Sequence, residues 1–160
     1  MKKAILIAVF ALLCAAASAQ DGKSVYNKYA GKEGVTGVYI SEAMFKMIGN
    51  MPELPLGDVP VDITPYLKSM EGLYLLEMSH ADANLTEDVH KFVAAGNYEP
   101  MMEVKDSGTS VNIYITKEGE FITSLVLLVS ESNECVFICL DGQISEEDFQ
   151  KLISEAMKNA

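Results

Sequence analysis

The chain has no arginine among its 160 residues. Arginine is the preferred bidentate partner of phosphate and carboxylate groups. A formal net charge of −11 without it argues against nucleic acid, whose binding draws on clustered cations. The same acidity opposes an anionic membrane surface. Tryptophan is absent too, so one common stacking platform for sugars is missing, although tyrosine could serve. There are two histidines and three cysteines. No phosphate-cradling glycine loop occurs, and no nucleophile elbow of the Gly-x-Ser-x-Gly kind. The glycines are scattered at turns, and nothing places two carboxylates in a cleft.

What is present begins with an address. Lys2 and Lys3 precede an unbroken apolar run, Ala4–Leu13, and Ala17-Ser18-Ala19 is a small-x-small cleavage site. That is the grammar of a secretory signal peptide cut before Gln20. The apolar run is too short for a stable membrane span. Cys14 follows Leu13, not the small residue a lipid-attachment site needs, so it reads as part of the run. Residues 1–19 are therefore expected to be a leader and residues 20–160 a single domain, with no transmembrane segment in the mature chain. Loss of Lys2 and Lys3 would take the net charge from −11 to −13.

Cys135 and Cys139 lie in Cys-Val-Phe-Ile-Cys-Leu, a run of strand formers. Residues four apart on a strand share a face but stand about 13 Å apart. A disulfide needs Cα atoms within about 7 Å. The two are expected to be small buried hydrophobes rather than a bridge.

Along the chain, Ser24–Ala30 reads as a short helix closed by Gly31, and Val35–Ile40 as a strand. Ser41 suits an N-cap, with Met44, Met47, Ile48 and Met51 as an apolar stripe behind it. Pro52–Pro65 holds four of the five prolines and reads as a loop. Thr64-Pro65 opens one or two helical turns, and Gly72–Ser79 is a second strand. Asn84-Leu-Thr-Glu87 resembles a capping box ahead of Leu85, Val89, Phe92 and Val93, with Gly96 at the C′ position. Four strands follow, Tyr98–Lys105, Ser110–Thr116, Phe121–Ser130 and Cys135–Leu140. Their connectors are short and polar, as in an antiparallel meander. Ser145 caps the last helix, Ile144 can staple to Phe149, and Phe149, Leu152, Ile153, Ala156 and Met157 form its apolar face.

The expected class is therefore α+β, an antiparallel sheet with helices packed mainly on one face. Its core order is strand, helix, four strands, helix, with an N-terminal strand-helix extension. The layout is analogous to the TATA-binding-protein topology, and that analogy carries no function. Two strands, Phe121–Ser130 and Cys135–Leu140, are apolar on both faces. One face should meet the helices, and the other must be covered by the N-terminal elements, the Pro-rich loop or a partner.

His80, Asp82 and His90 are the weak candidates for a metal site. A mixed histidine and carboxylate set can hold zinc, but their spacing fits no metal motif. A polar strand-to-helix loop explains them more simply. Ser79, His80 and Asp82 carry the letters of a hydrolase triad, yet adjacent strand residues point to opposite faces. Clustered methionines can bind Cu(I), although methionine more often fills cores and adaptable interfaces.

The stretch Tyr29–Met44, with Gly72-Leu-Tyr-Leu-Leu76 and the closing strand and Ser145 helix, resembles the domain of unknown function family 4252. These are small exported proteins of Bacteroidetes-type bacteria. The resemblance spans nearly all of the mature chain and rests on structural motifs. It implies an envelope location and assigns no activity or catalytic residue. The expectation is a non-enzymatic, acidic binding module of the periplasm or cell envelope without a cofactor. It would bind a protein partner or small ligand through the second sheet face and the Pro-rich loop, with an oligomer through an apolar sheet face left open. The alternatives are a periplasmic metal-handling protein using methionine and histidine, and an enzyme with an unrecognised site.

Overall fold

Alternating runs of β-branched residues and short polar turns build six strands, which the computed structural model joins into one antiparallel sheet. The structure describes residues 21–49, 64–80 and 82–159. In chain order the elements are α1 (Gly22–Tyr29), β1 (Val35–Ser41), α2 (Glu42–Ile48), a 3-10 helix (Thr64–Ser69), β2 (Met70–Met78) and α3 (Ala83–Ala95). Then come β3 (Glu99–Asp106), β4 (Thr109–Glu118), β5 (Phe121–Ser130), β6 (Cys135–Ser145) and α4 (Glu146–Asn159). The expected leader and most of the Pro-rich loop lie outside the described residues.

The sheet order is β1-β2-β6-β5-β4-β3. Strands β3 to β6 form the expected meander, and β2 joins it beside β6. Every neighbour is antiparallel, so β2 and β3 run in the same sense on opposite flanks of the sheet. The chain must cross between Met78 and Glu99, and α3 occupies that crossing. The β3–β4 hairpin turns on Ser107 and Gly108, with φ of 44° and 97°. Two positive φ values in succession suit the twist of a two-residue hairpin loop.

Strand periodicity of two sends alternate residues to alternate faces. Tyr74, Leu76, Met78, Val126, Leu128, Cys135, Phe137 and Cys139 share one face. Val25 and Tyr29 of α1 and Leu85, Val89, Phe92 and Val93 of α3 close over them as one core. Leu76, Met78, Leu85, Val126, Leu128 and Phe137 are fully buried. Each such side chain is worth roughly 1.5–3 kcal/mol over an exposed one. Phe92 also meets the Tyr98 ring edge-on, with centroids 5.0 Å apart.

Among the described residues, the opposite face is covered at one end, where Ile115 is buried and Phe149 of α4 lines cavities with Ile115, Leu125 and Leu140. Phe45 of α2, Leu67 of the 3-10 helix and Met70 form a smaller cluster against Ile40, Leu73 and Leu140. Helices α1 and α3 thus lie on one face, and α2, the 3-10 turn and the start of α4 guard an end of the other.

Local capping follows the sequence in two places and departs from it in others. Ser41 Oγ accepts from the Met44 N–H, and Ser145 Oγ from that of Asp148. For α3 the cap is Asp82 rather than Asn84. Its Oδ1 accepts from the N–H groups of both Asn84 and Leu85, at 2.8 and 3.0 Å. A carboxylate two residues earlier satisfies two orphan donors through one oxygen. At the other end of α3, Gly96 is not left-handed (φ −86°); Asn97 takes that conformation instead. What Gly96 supplies is space, since a Cβ there would stand 2.7 Å from the Tyr98 ring.

In α2 the expected methionine stripe is not the buried one. Met44 and Met47 are exposed, and Phe45 is buried. The helix is seven residues long and opens directly from β1, so the strand sets its rotation. Met51 lies outside the described residues. Phe149 of α4 is only partly buried, and the side chains of Leu152, Ile153, Ala156 and Met157 fall outside those described.

Candidate functional site: the open face of the sheet

Reading register across the sheet gives the row Val38, Leu75, Ile138, Leu127, Ile113, Met102, one residue from each of the six strands. All six are apolar. Val38 and Met102 at the ends are exposed and the four between are partly exposed. The neighbouring row is Thr36, Glu77, Val136, Val129, Val111, Val104. None of these twelve residues belongs to either buried cluster. Contiguous exposed apolar surface of this kind marks contact sites.

Leu125 and Leu127 belong to this second face, and Val126 and Leu128 to the covered one. Sequence alone divides the two sets without saying which meets the helices. The open rows carry a single ionisable residue, Glu77, on a chain that is otherwise strongly acidic.

Among the described residues, the covered face holds the buried polar side chains. Tyr98 OH donates to Ser124 Oγ at 2.8 Å, and Ser124 Oγ donates to Asp141 Oδ1 at 2.7 Å. Cys139 Sγ lies 3.5 Å from the same oxygen. Burial, and next the Asp141 charge, push the Cys139 thiol far up, as burial does the Tyr98 hydroxyl. A thiol held protonated is a weaker nucleophile than its thiolate. Gly22 of α1 seals this cluster, for a Cβ there would fall 2.3 Å from Cys139 Sγ. Both Cys135 and Cys139 are free and buried. Among the described residues, no buried side-chain polar atom lacks a partner.

A second polar tie joins α1 to α3. Tyr29 OH donates to Asp88 Oδ2 at 2.6 Å, and Lys28 pairs with the same oxygen. Burial opposes the Asp88 carboxylate, but the bonds from Lys28 and Tyr29 outweigh it and hold its pKa below the usual range. Lys32 sits 4.4 Å from the Tyr29 ring centroid, a cation–π contact.

Of the metal candidates, Asp82 and His90 line one open groove of about 660 Å³ along α3. His80 does not line it; its ring lies beside the Gly34 turn. Asp82 Oδ1 is already committed as a helix cap. Among the described residues no group of three histidine, cysteine, aspartate or glutamate side chains is gathered to hold a metal. Met44 and Met47 on α2 and Met101 and Met102 on β3 belong to opposite flanks of the sheet.

A further crevice of about 450 Å³ lies between α4 and the sheet, lined in part by Met101, Ile115, Ile122 and Phe149. Lys117 and Glu146, 2.9 Å apart, also line it. Ile144 and Phe149, the expected staple, share the lining of a smaller apolar cavity nearby. Among the described residues no helix is long and apolar enough to cross a membrane.

No curated protein and no solved structure matches this chain. A family description does match, over residues 26–152, from α1 through every strand into α4. The chain belongs to the family described as domain of unknown function (DUF4252).

Proposed function

We propose that this protein is an exported, non-enzymatic interaction module of the cell envelope whose open sheet face receives an apolar surface of a protein partner. The observation that carries this reading is the unbroken apolar row Val38-Leu75-Ile138-Leu127-Ile113-Met102. It spans five inter-strand steps, about 24 Å at roughly 4.8 Å each. Small ligands bind in concavities that enclose most of their surface. This face is open, so a protein surface is the occupant its shape suits. Export is supported by the basic-apolar-small grammar of residues 1–19.

A photo-crosslinking residue at Leu127, in the mature protein made in its own cell envelope, tests the reading. A discrete protein adduct is expected, absent when the probe stands at exposed Asn133. Leu127→Asp should abolish the association while the purified protein still folds. No discrete adduct at Leu127, or the same adducts at both positions, overturns the reading.

A further inference from the structure

The two edges of the sheet are built differently. Edge strand β3 carries Pro100, a register shift between Pro100 and Met102, and the charged residues Glu99, Glu103, Lys105 and Asp106. Proline, bulges and charge are the usual means of keeping an edge from pairing. Edge strand β1, Val-Thr-Gly-Val-Tyr-Ile-Ser, has no charge, no proline and no register shift along all seven residues. Among the described residues no strand pairs with its outer side. Tyr39 stacks on Tyr74 at 5.1 Å and 12°, with Tyr26 beside them, which pins the strand flat.

The outward backbone groups can be identified. The Ser79 N–H donates to the Gly34 carbonyl, one step before the Val35↔Met78 pair. In an antiparallel ladder both groups of a residue face the same side, alternating along the strand. Thr36, Val38 and Ile40 therefore face β2, and Val35, Gly37, Tyr39 and Ser41 face outward. Two outward groups are already engaged. The Val35 N–H donates to the Lys32 carbonyl at 3.2 Å, and the carbonyl of N-cap Ser41 accepts the first bond of α2.

We infer that the β1 edge pairs with the β1 edge of a second copy, antiparallel and centred on Val38. In that register Gly37 and Tyr39 exchange hydrogen bonds with Tyr39 and Gly37 of the second copy. Each Val35 carbonyl receives the other Ser41 N–H. The two engaged groups, Val35 N–H and Ser41 C=O, stand opposite each other and need no partner. Every outward backbone group of the strand is then satisfied. Centring one step away, on Gly37, would oppose the Tyr39 carbonyl to the engaged Val35 N–H. On the helix-bearing face each Tyr39 meets a glycine, and on the open face Val38 meets Val38.

Charge agrees with a second copy as the occupant. Residues 21–49 hold Lys23, Lys28, Lys32 and Lys46 against Asp21, Glu33 and Glu42, a net +1. Residues 50–160 hold six lysines and twenty acids, a net −14. The β1 flank is where two copies of this acidic chain approach with least repulsion. This pairing is independent of the open face, which it would extend into a twelve-stranded surface.

Sedimentation of the mature chain from micromolar to millimolar concentration tests the pairing. Wild type should shift from monomer to dimer as concentration rises, and more readily at higher salt, which screens the remaining acidity. Val38→Cys should cross-link to its counterpart under mild oxidation. Facing residues in such a non-hydrogen-bonded pair have Cα atoms about 4.5 Å apart, within disulfide reach. Thr36→Cys should not cross-link, since its two copies would lie about 13 Å apart along the strand. Val38→Lys should weaken the dimer about fivefold by opposing like charges. Because Val38 is 40% exposed, its variants should keep the wild-type melting transition. Leu127→Asp should leave the dimer intact, which separates an edge contact from one through the open face. A wild type that stays monomeric, equal cross-linking at 36 and 38, or loss of the dimer in Leu127→Asp overturns the inference.

Discussion

Val126 and Leu127 are neighbours on β5, both aliphatic, and they live in different environments. Val126 is fully buried beneath the helices that span the sheet. Leu127 is partly exposed in the middle of an apolar row that belongs to neither buried cluster. The same contrast runs along β6, where Phe137 is buried and Ile138 is not. Apolar composition therefore does not make a core here. Closure by α1 and α3 does, and the face they leave is as apolar as the one they cover. A monomeric soluble protein usually alternates apolar and polar residues on such a strand, and the departure is what points to a contact surface.

The sharpest way to break the comparison is to charge each residue in turn. Val126→Asp should unfold the domain, because an unpaired carboxylate in a closed core costs several kcal/mol. Leu127→Asp should retain a cooperative transition near that of wild type in chemical denaturation. If both variants unfold alike, the second face is covered by the protein's own chain.

Truncation gives the next largest effect. Phe92→Ala should cost about 3–5 kcal/mol, since the ring is 2% exposed in the closed core. Phe149→Ala, at the partly open contact of α4, should cost only about 1 kcal/mol in the same measurement. Equal losses would show that α4 docks as firmly as α3.

The smallest effect concerns how the closing helices are held together. Asp88 has its pKa lowered in the fold, so its stabilising contribution is present above the unfolded carboxylate pKa. It is lost as pH falls through the lower, folded value. Asp88→Asn should therefore cost no more than about 1 kcal/mol near neutral pH, Lys28 being largely solvated. It should also flatten the acid limb of a stability-against-pH profile. An acid limb unchanged by the substitution would remove this tie from the account of how α1 is held on α3.

Much of the architecture was legible because its signals are short-range. The turn Asp106-Ser-Gly-Thr109, the caps Ser41 and Ser145, and the apolar spacing of Leu85, Val89, Phe92 and Val93 each specify structure within a few residues. Misreadings came where two local signals competed. Asp82 and Asn84 could each cap α3, and the residue reaching two free N–H groups is the one that does. In α2 a stripe through Met44 and Met47 and a burial of Phe45 are alternative rotations of one short helix, and the strand feeding it decided between them. The candidate surface was legible as a possibility, because β5 and β6 are apolar on both parities, but its six-strand extent was not.

By itself, the sequence determined the acidic and arginine-free character of this protein, its antiparallel meander, its helix boundaries to within a few residues, and the existence of two apolar sheet faces. The tertiary structure alone decided which face is closed, that β1 becomes an outer edge beside β2, and that α2 and the start of α4 meet at one end of the other face. The physical reason is range. Propensity, capping and turn chemistry act over a few residues, whereas closing a face depends on where a crossing helix lands relative to strands fifty residues away in the chain.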